Sequence, residues 1–210
     1  MKKPNGAASV TRKQLLSAAG ELMATRGSTD ISLNDIAEKS GLSSALVKYY
    51  FGNKAGMMLG LLREVLAPSL LQLRHLPAME LPPQTKLRIH ISGLVKSYYL
   101  HPYVNRLMHQ LLYEDSETFG PILAEEFSRP VADVQKMILE EGTRLGVFRP
   151  VDPLFFYLHI IGACDQLFHG RAQLEHLFGV KTIDDDVRRG FIDHLYGVVM
   201  SGIAAPVSSS

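Results

Sequence analysis

A single cysteine, Cys164, is present among the 210 residues, so no disulfide can close within the chain and a reducing, cytoplasmic setting is expected. Alone, it reads as a small core residue rather than a nucleophile. Long apolar runs are also missing: no stretch approaches the ~18 consecutive apolar residues of a membrane span, and none follows Lys2 and Lys3 as in a secretory signal. The eight histidines (His75, His90, His101, His109, His159, His169, His176 and His194) are scattered, without the H-E-x-x-H or paired-cysteine spacing that assembles a metal site. Ser44 and Lys48 stand at i and i+4, not in the S-x-x-K spacing of a serine–lysine nucleophile, and no glycine-rich phosphate loop occurs. Neither metal nor cofactor is expected. A helical enzyme survives only as an alternative without a motif of its own.

What is present describes a globular protein of one or two domains, 46% apolar with a net charge of +1 and able to bury a real core. The near-neutral total hides an asymmetry. Up to Lys54 there are eight Lys and Arg against four Asp and Glu, about +4, which leaves about −3 for the rest. One end is suited to a polyanion and the other is not.

That basic end contains the stretch ISLNDIAEKSGLSSALVKYYFGNK, residues 31–54. Ser32 can cap a helix, with Asp35 in its acidic first turn and Leu33, Ile36 and Ala37 on one face. Gly41 suits the left-handed position that ends such a helix, and Leu42 can pack back on it. Ser43 then caps a second short helix, about Ser44 to Phe51, with Leu46, Val47 and Tyr50 inward and Ser44, Ala45, Lys48 and Tyr49 outward. Two short helices joined by about four residues with a central glycine have helix-turn-helix spacing, whose second helix enters the major groove N-terminus first. The small residues at that end allow close approach to base edges. An ordinary helical hairpin has the same spacing. Before the pair, TRKQLLSAAGELMATRG predicts a helix capped by Thr11, apolar through Leu15, Leu16, Ala19, Leu22 and Met23, and ended by Gly27.

Continued to Met58, the pattern resembles the N-terminal domain of the tetracycline-repressor (TetR) family, to which Ser32, Ile36, Ala37, Gly41, Ser43, Val47, Tyr50, Phe51, Asn53 and Lys54 conform. Lys48 stands where the family usually carries an aromatic that touches the DNA backbone, and Gly52 replaces the usual proline. The resemblance implies that Ser43, Ser44, Ala45, Lys48 and Tyr49 meet the major groove and its rim. Ser32, Lys54 and Arg12 would then hold phosphates.

The rest reads as helices throughout. A long helix from Ala55 to about His75 is bent or interrupted at Pro68. A turn or linker spans Pro77 to Gln84, and helices follow at about 84–100 and 103–113 before an acidic loop, EDSE. The stretch 119–145 is expected to be two helices or one broken near Pro130, and GVFRPVDP is a loop whose Asp152 and Pro153 suit N-cap and N1. Two last helices run over about 153–178 and 184–203, before a small polar tail, PVSSS. The fold class expected is all-α with about nine helices. A three-helix helix-turn-helix module, residues 1–54, is joined by a long helix to a ligand-binding and dimerisation domain, residues 55–210.

The last two helices carry too many apolar residues for one buried stripe, Leu154, Phe155, Leu158 and Ile161 beside Phe156, Ile160, Ala163 and Leu167, and a palindrome-reading protein needs a second copy. The family resemblance implies a four-helix bundle across a two-fold axis, and the residues assigned to it are Phe156, Ile160, Ala163, Leu167, Phe191, His194, Leu195 and Val198. It also implies a small-molecule pocket among the central helices. Tyr98, Tyr99, Asn105, His109, Tyr113, Phe127, Met137 and Gln166 are its candidate lining residues, taken as polar or aromatic positions on otherwise apolar helices. The reading is a homodimeric, ligand-responsive transcriptional regulator, most simply a repressor of a palindromic DNA operator released by a small molecule of unknown identity, with no membrane partner. Its competitor is a constitutive DNA-binding or architectural dimer without effector.

Overall fold

The computed structural model describes residues 6–206, so Lys2, Lys3 and the last four residues of the tail lie outside it. The described residues form eleven α-helices and no strand: α1 (Gly6–Arg26), α2 (Leu33–Ser40), α3 (Ala45–Phe51), α4 (Lys54–His75), α5 (Pro83–Leu100), α6 (Val104–Glu114), α7 (Ser116–Leu123), α8 (Arg129–Arg144), α9 (Pro153–His169), α10 (Arg171–Phe178) and α11 (Asp185–Ile203). They make two compact units, residues 6–67 with 101–120, and residues 68–100 with 121–206.

In the first unit, Leu15, Leu16, Ala19 and Met23 of α1 pack in one core with Ile36 of α2, Val47 of α3, Met57, Met58, Leu61 and Leu62 of α4 and Leu107 and Leu111 of α6, all buried. Close approach is built in at Gly20, where a Cβ would stand 2.7 Å from the Tyr103 hydroxyl. Among the described residues α4 alone has the length and apolar content to cross a membrane, but its apolar side chains from Met57 to Leu62 face this core.

The second unit packs α5 against α8, α9 and α11 around Leu87, Ile91, Val95, Ile138, Phe148, Phe156, Ile160, Leu195 and Val199. Cys164 sits in the same core, fully buried. The loop after α8 is tied to the end of α11 by an isolated bridge between Phe148 and Ala204, in which Arg149 N–H donates to the Ile203 carbonyl at 2.8 Å and Ala205 N–H to that of Val147 at 3.1 Å.

Several helix boundaries differ from expectation, each for a local reason. α1 starts at Gly6, so Thr11 lies inside it and is not its cap. α4 runs through Pro68 without a break. The EDSE segment is not a loop: only Asp115 interrupts, and its carboxylate accepts from Thr118 N–H at 3.0 Å to cap α7. Between α7 and α8 a wider π-helical turn, Ala124–Ser128, keeps the backbone helical, and Pro130 falls in the first turn of α8, where its missing N–H costs nothing. The long helix expected to end at Phe178 breaks at Gly170, whose N–H closes on the Gln166 carbonyl at 2.9 Å. Asp152 and Asp184 cap α9 and α11 by accepting from Leu154 N–H at 2.8 Å and Val187 N–H at 2.9 Å.

Candidate nucleic-acid interface

Helix α2 is held by its caps. Ser32 and Asp35 form a capping box: Asp35 N–H donates to Ser32 Oγ at 3.1 Å, while Ser32 N–H and its hydroxyl donate to Asp35 Oδ2 at 2.7 and 2.6 Å. Arg26 Nη2 donates to the other carboxylate oxygen at 2.7 Å, and this ion pair first, with Ser32 second, holds the Asp35 carboxyl well below the usual carboxylate range. At the other end Gly41 takes φ 68°, and Leu42 N–H returns to the Ala37 carbonyl at 3.2 Å.

Helix α3 follows at once. Ser43 serves its start, with the side chain accepting from Ala45 N–H at 3.3 Å and the carbonyl from Leu46 N–H at 3.0 Å, although the first helical residue is Ala45 rather than Ser44. Val47 is buried, Leu46 and Tyr50 are half-buried, and Ser43, Ala45, Lys48 and Tyr49 are exposed, Tyr49 at 77%. Ser44 is half-buried. After Phe51 the chain turns at Gly52, φ 82°, a conformation closed to the proline more usual there. Asn53 then caps α4 by accepting from Gly56 N–H at 2.7 Å. Lys54 therefore heads α4, where its ammonium adds to the positive end of the helix dipole.

The structure thus gathers Ser43 and Ser44 at the start of α3, Ala45, Lys48 and Tyr49 along it, and Lys54 at the head of α4. Two residues read as phosphate contacts are used otherwise. Both donors of Ser32 are spent on Asp35, whose negative charge is also adverse to a phosphate. The guanidinium of Arg12 lies over the Phe51 ring, 5.2 Å from its centroid.

The eight residues expected to line a pocket are divided between the two units. Asn105, His109 and Tyr113 belong to the first unit, with His109 exposed and Tyr113 93% exposed; the other five belong to the second. Tyr98 packs its ring 6.1 Å from that of Phe168, Tyr99 is covered by the Arg188 guanidinium 4.0 Å from its centroid, Phe127 is core, and Gln166 is exposed. Met137 lines an open groove of about 450 Å³ together with Arg74, Pro77 and Asp133.

Most residues assigned to a partner face on α9 and α11 pack within their own unit. Phe156, Ile160 and Leu167, with Leu195 of α11, are at most 9% exposed within their own unit's core, and Ala163 and Phe191 pack against it. Exposed instead are Leu154, Phe155 and Leu158 on α9, at 59, 67 and 56%, and Val198 and His194 on α11. Only the last two of the eight face outward.

Missed altogether was a buried polar group on α5 and α8. Lys86 Nζ donates to the Pro77 carbonyl and to Glu141 Oε2, both at 2.8 Å. His90 and Gln135, 3% and 1% exposed, meet through their Nε2 atoms at 2.9 Å. With the glutamine amide donating, His90 carries its proton on Nδ1, and burial pushes it down to about 4. The signal was present in the sequence, for Lys86 and His90 fall on the stripe Leu87, Ile91, Val95.

Comparisons with known proteins agree with this architecture. Over 209 residues the chain is 22% identical to the HTH-type transcriptional regulator RutR of Escherichia coli (strain K12), covering 96% of this chain and 94% of RutR. It is 38% identical to the HTH-type transcriptional regulator BetI of Stenotrophomonas maltophilia (strain R551-3) over 61 residues, 29% of this chain and 31% of BetI. Similar solved structures include the fatty acid degradation regulator FadR of Bacillus halodurans, at a TM-score of 0.66 and 19% identity over 93% of this chain and 97% of that one. Another is the transcriptional regulator FadR of Bacillus subtilis in complex with stearoyl-CoA, at 0.64 and 18% over 88% and 97%. The pattern of the bacterial regulatory proteins of the tetR family matches residues 15–61, and that of the tetracyclin repressor-like C-terminal domain matches residues 80–209. The chain therefore belongs to the TetR family and is a transcriptional regulator rather than an enzyme.

Proposed function

We propose that the protein represses transcription by binding a palindromic operator as a homodimer and is released from it by a small molecule. The observation that carries the reading is the outward face of α3, where Ala45, Lys48 and Tyr49 are exposed beside the Lys54 head of α4. Small residues at the N-terminus of the helix reach base edges, and the two lysines meet phosphates. Residues 1–54 do the reading, while residues 55–210 dimerise and bind the effector.

A dimer is supported by the apolar side chains that α9 leaves in solvent, Leu154, Phe155 and Leu158, and by the open Gly190 and Gly197 on α11, where another helix can approach closely. An effector need only favour a geometry that misplaces the two recognition helices; about 3 kcal/mol of differential affinity lowers operator binding roughly a hundredfold. A structurally similar regulator, FadR of Bacillus subtilis, is bound to stearoyl-CoA, which supports an effector for this chain as well.

The test is selection of duplexes from a random DNA pool by the purified protein, followed by a salt titration on the enriched sequence. A palindrome with steep salt dependence is the expected result. Binding that ignores sequence would favour an architectural dimer instead.

A further inference from the structure

The C-terminal end of α3 is seated in a notch on α4. A Cβ on Gly56 would collide with the Phe51 carbonyl oxygen, and one on Gly60, a turn later, would stand 3.2 and 3.3 Å from Cε1 and Cδ1 of the Phe51 ring and 3.4 Å from Nη2 of Arg12. Two glycines at i and i+4 thus give α4 a flat strip that admits the backbone and ring of Phe51. The Arg12 guanidinium covers the same ring at 5.2 Å, so the side chain is gripped between α1 and α4. Arg12 is half-buried, whereas the neighbouring Lys13 is exposed and pairs with Glu64 at 3.6 Å.

From this geometry we infer that Arg12 serves DNA reading as a positioning residue, pressing Phe51 into the Gly56–Gly60 strip and so fixing the pitch of α3, rather than as a phosphate contact. The inference rests on the reading of α3 as the recognition helix. Phe51 is the last residue of a helix only seven residues long, so a shift at its ring rotates the whole helix and moves Ala45, Lys48 and Tyr49 relative to the bases. Stacking on a ring depends on the planar guanidinium, and an ammonium on a flexible stem does not reproduce it. A phosphate contact would have the opposite dependence, surviving a lysine and reporting itself in the salt slope.

The experiment uses the full-length protein and the duplex enriched from the random pool. Arg12→Lys and Arg12→Ala are expected to lose affinity alike, by about tenfold, with the slope of log affinity against log salt unchanged. Phe51→Leu is expected to lose as much, and combining it with Arg12→Ala to add less than about twofold, as for two residues acting through one contact. Gly60→Ala, with Arg12 in place, gives the same loss by pushing the ring away. In the DNA-free protein the amide resonances of Ala45 to Phe51 move together in Arg12→Lys and Gly60→Ala, with Tm close to that of the parent. Arg12→Lys binding as well as the parent, or Arg12→Ala flattening the salt slope by about one, would overturn the inference. A parent that enriches no duplex would instead sink the operator-binding reading of α3, and the amide resonances then decide the role of the notch alone.

Discussion

The Phe148 ring lies against the α-carbon of Gly142, with no room for a Cβ between them. The amides of Val147 and Phe148 both return to the Gly142 carbonyl, at 2.9 and 3.1 Å, so ring and backbone are locked to the same residue. Gly142→Ala is expected to cost about 1–3 kcal/mol as an overpacked core site. Thermal denaturation reads this as a fall in Tm of roughly 2–4 °C per kcal/mol. A Tm equal to that of the parent would show that the ring moves aside freely.

His90 and Gln135 should behave as a pair. His90→Leu alone strands the buried glutamine amide and costs about 1–3 kcal/mol, whereas His90→Leu with Gln135→Leu removes both polar groups and recovers most of it. The pair also has a pH signature. Because burial lowers His90 from 6.5 to about 4, the unfolded chain binds the proton more tightly than the native one, and stability is complete above about pH 6.5. It falls as the pH drops from there towards 4, by about 3 kcal/mol in all. Urea titrations across that range should show the slope in the parent and lose His90's share of it in the doubly substituted protein.

Lys48→Ala and Lys54→Ala should each weaken operator binding across sequences and reduce the salt slope by about one. Ser32→Ala should leave that slope alone, since its donors already serve Asp35, and should appear as about 1 kcal/mol of lost stability from the missing N-cap. Comparing the slopes of the three variants separates phosphate contacts from caps.

The two faces of α9 predict opposite outcomes. Leu158→Glu, at an exposed apolar position, should leave a folded chain that sediments as a monomer. Phe156→Ala should instead destabilise the fold by about 3–5 kcal/mol, because its ring is 4% exposed within its own unit. A dimer that persists in Leu158→Glu would place the interface elsewhere.

The sequence was legible where structure is decided within a turn. Ser32, Asp35 and Gly41 bound α2 as expected because capping depends only on neighbours in the chain. It was ambiguous on α9, where both faces are apolar at the same period and the choice of core face depends on α5, α8 and α11 packing from far along the chain. Arg12 shows the same limit, for nothing near it in sequence announces Phe51. A ligand-lining face is harder still to read from sequence, since aromatic residues on apolar helices mark cores and clefts alike.

Cys164 is fully buried, and its thiol is pushed up to about 12, chiefly by desolvation and further by Asp165. Thiolate is the reactive species, so at neutral pH this sulfur is silent toward maleimides and methanethiosulfonates. A cysteine introduced at an exposed position such as Thr25 would then be the sole target on the chain. Fluorophores or spin labels can be placed one per subunit on an otherwise native background, which turns the separation between two copies, with and without a small molecule, into a directly measured distance.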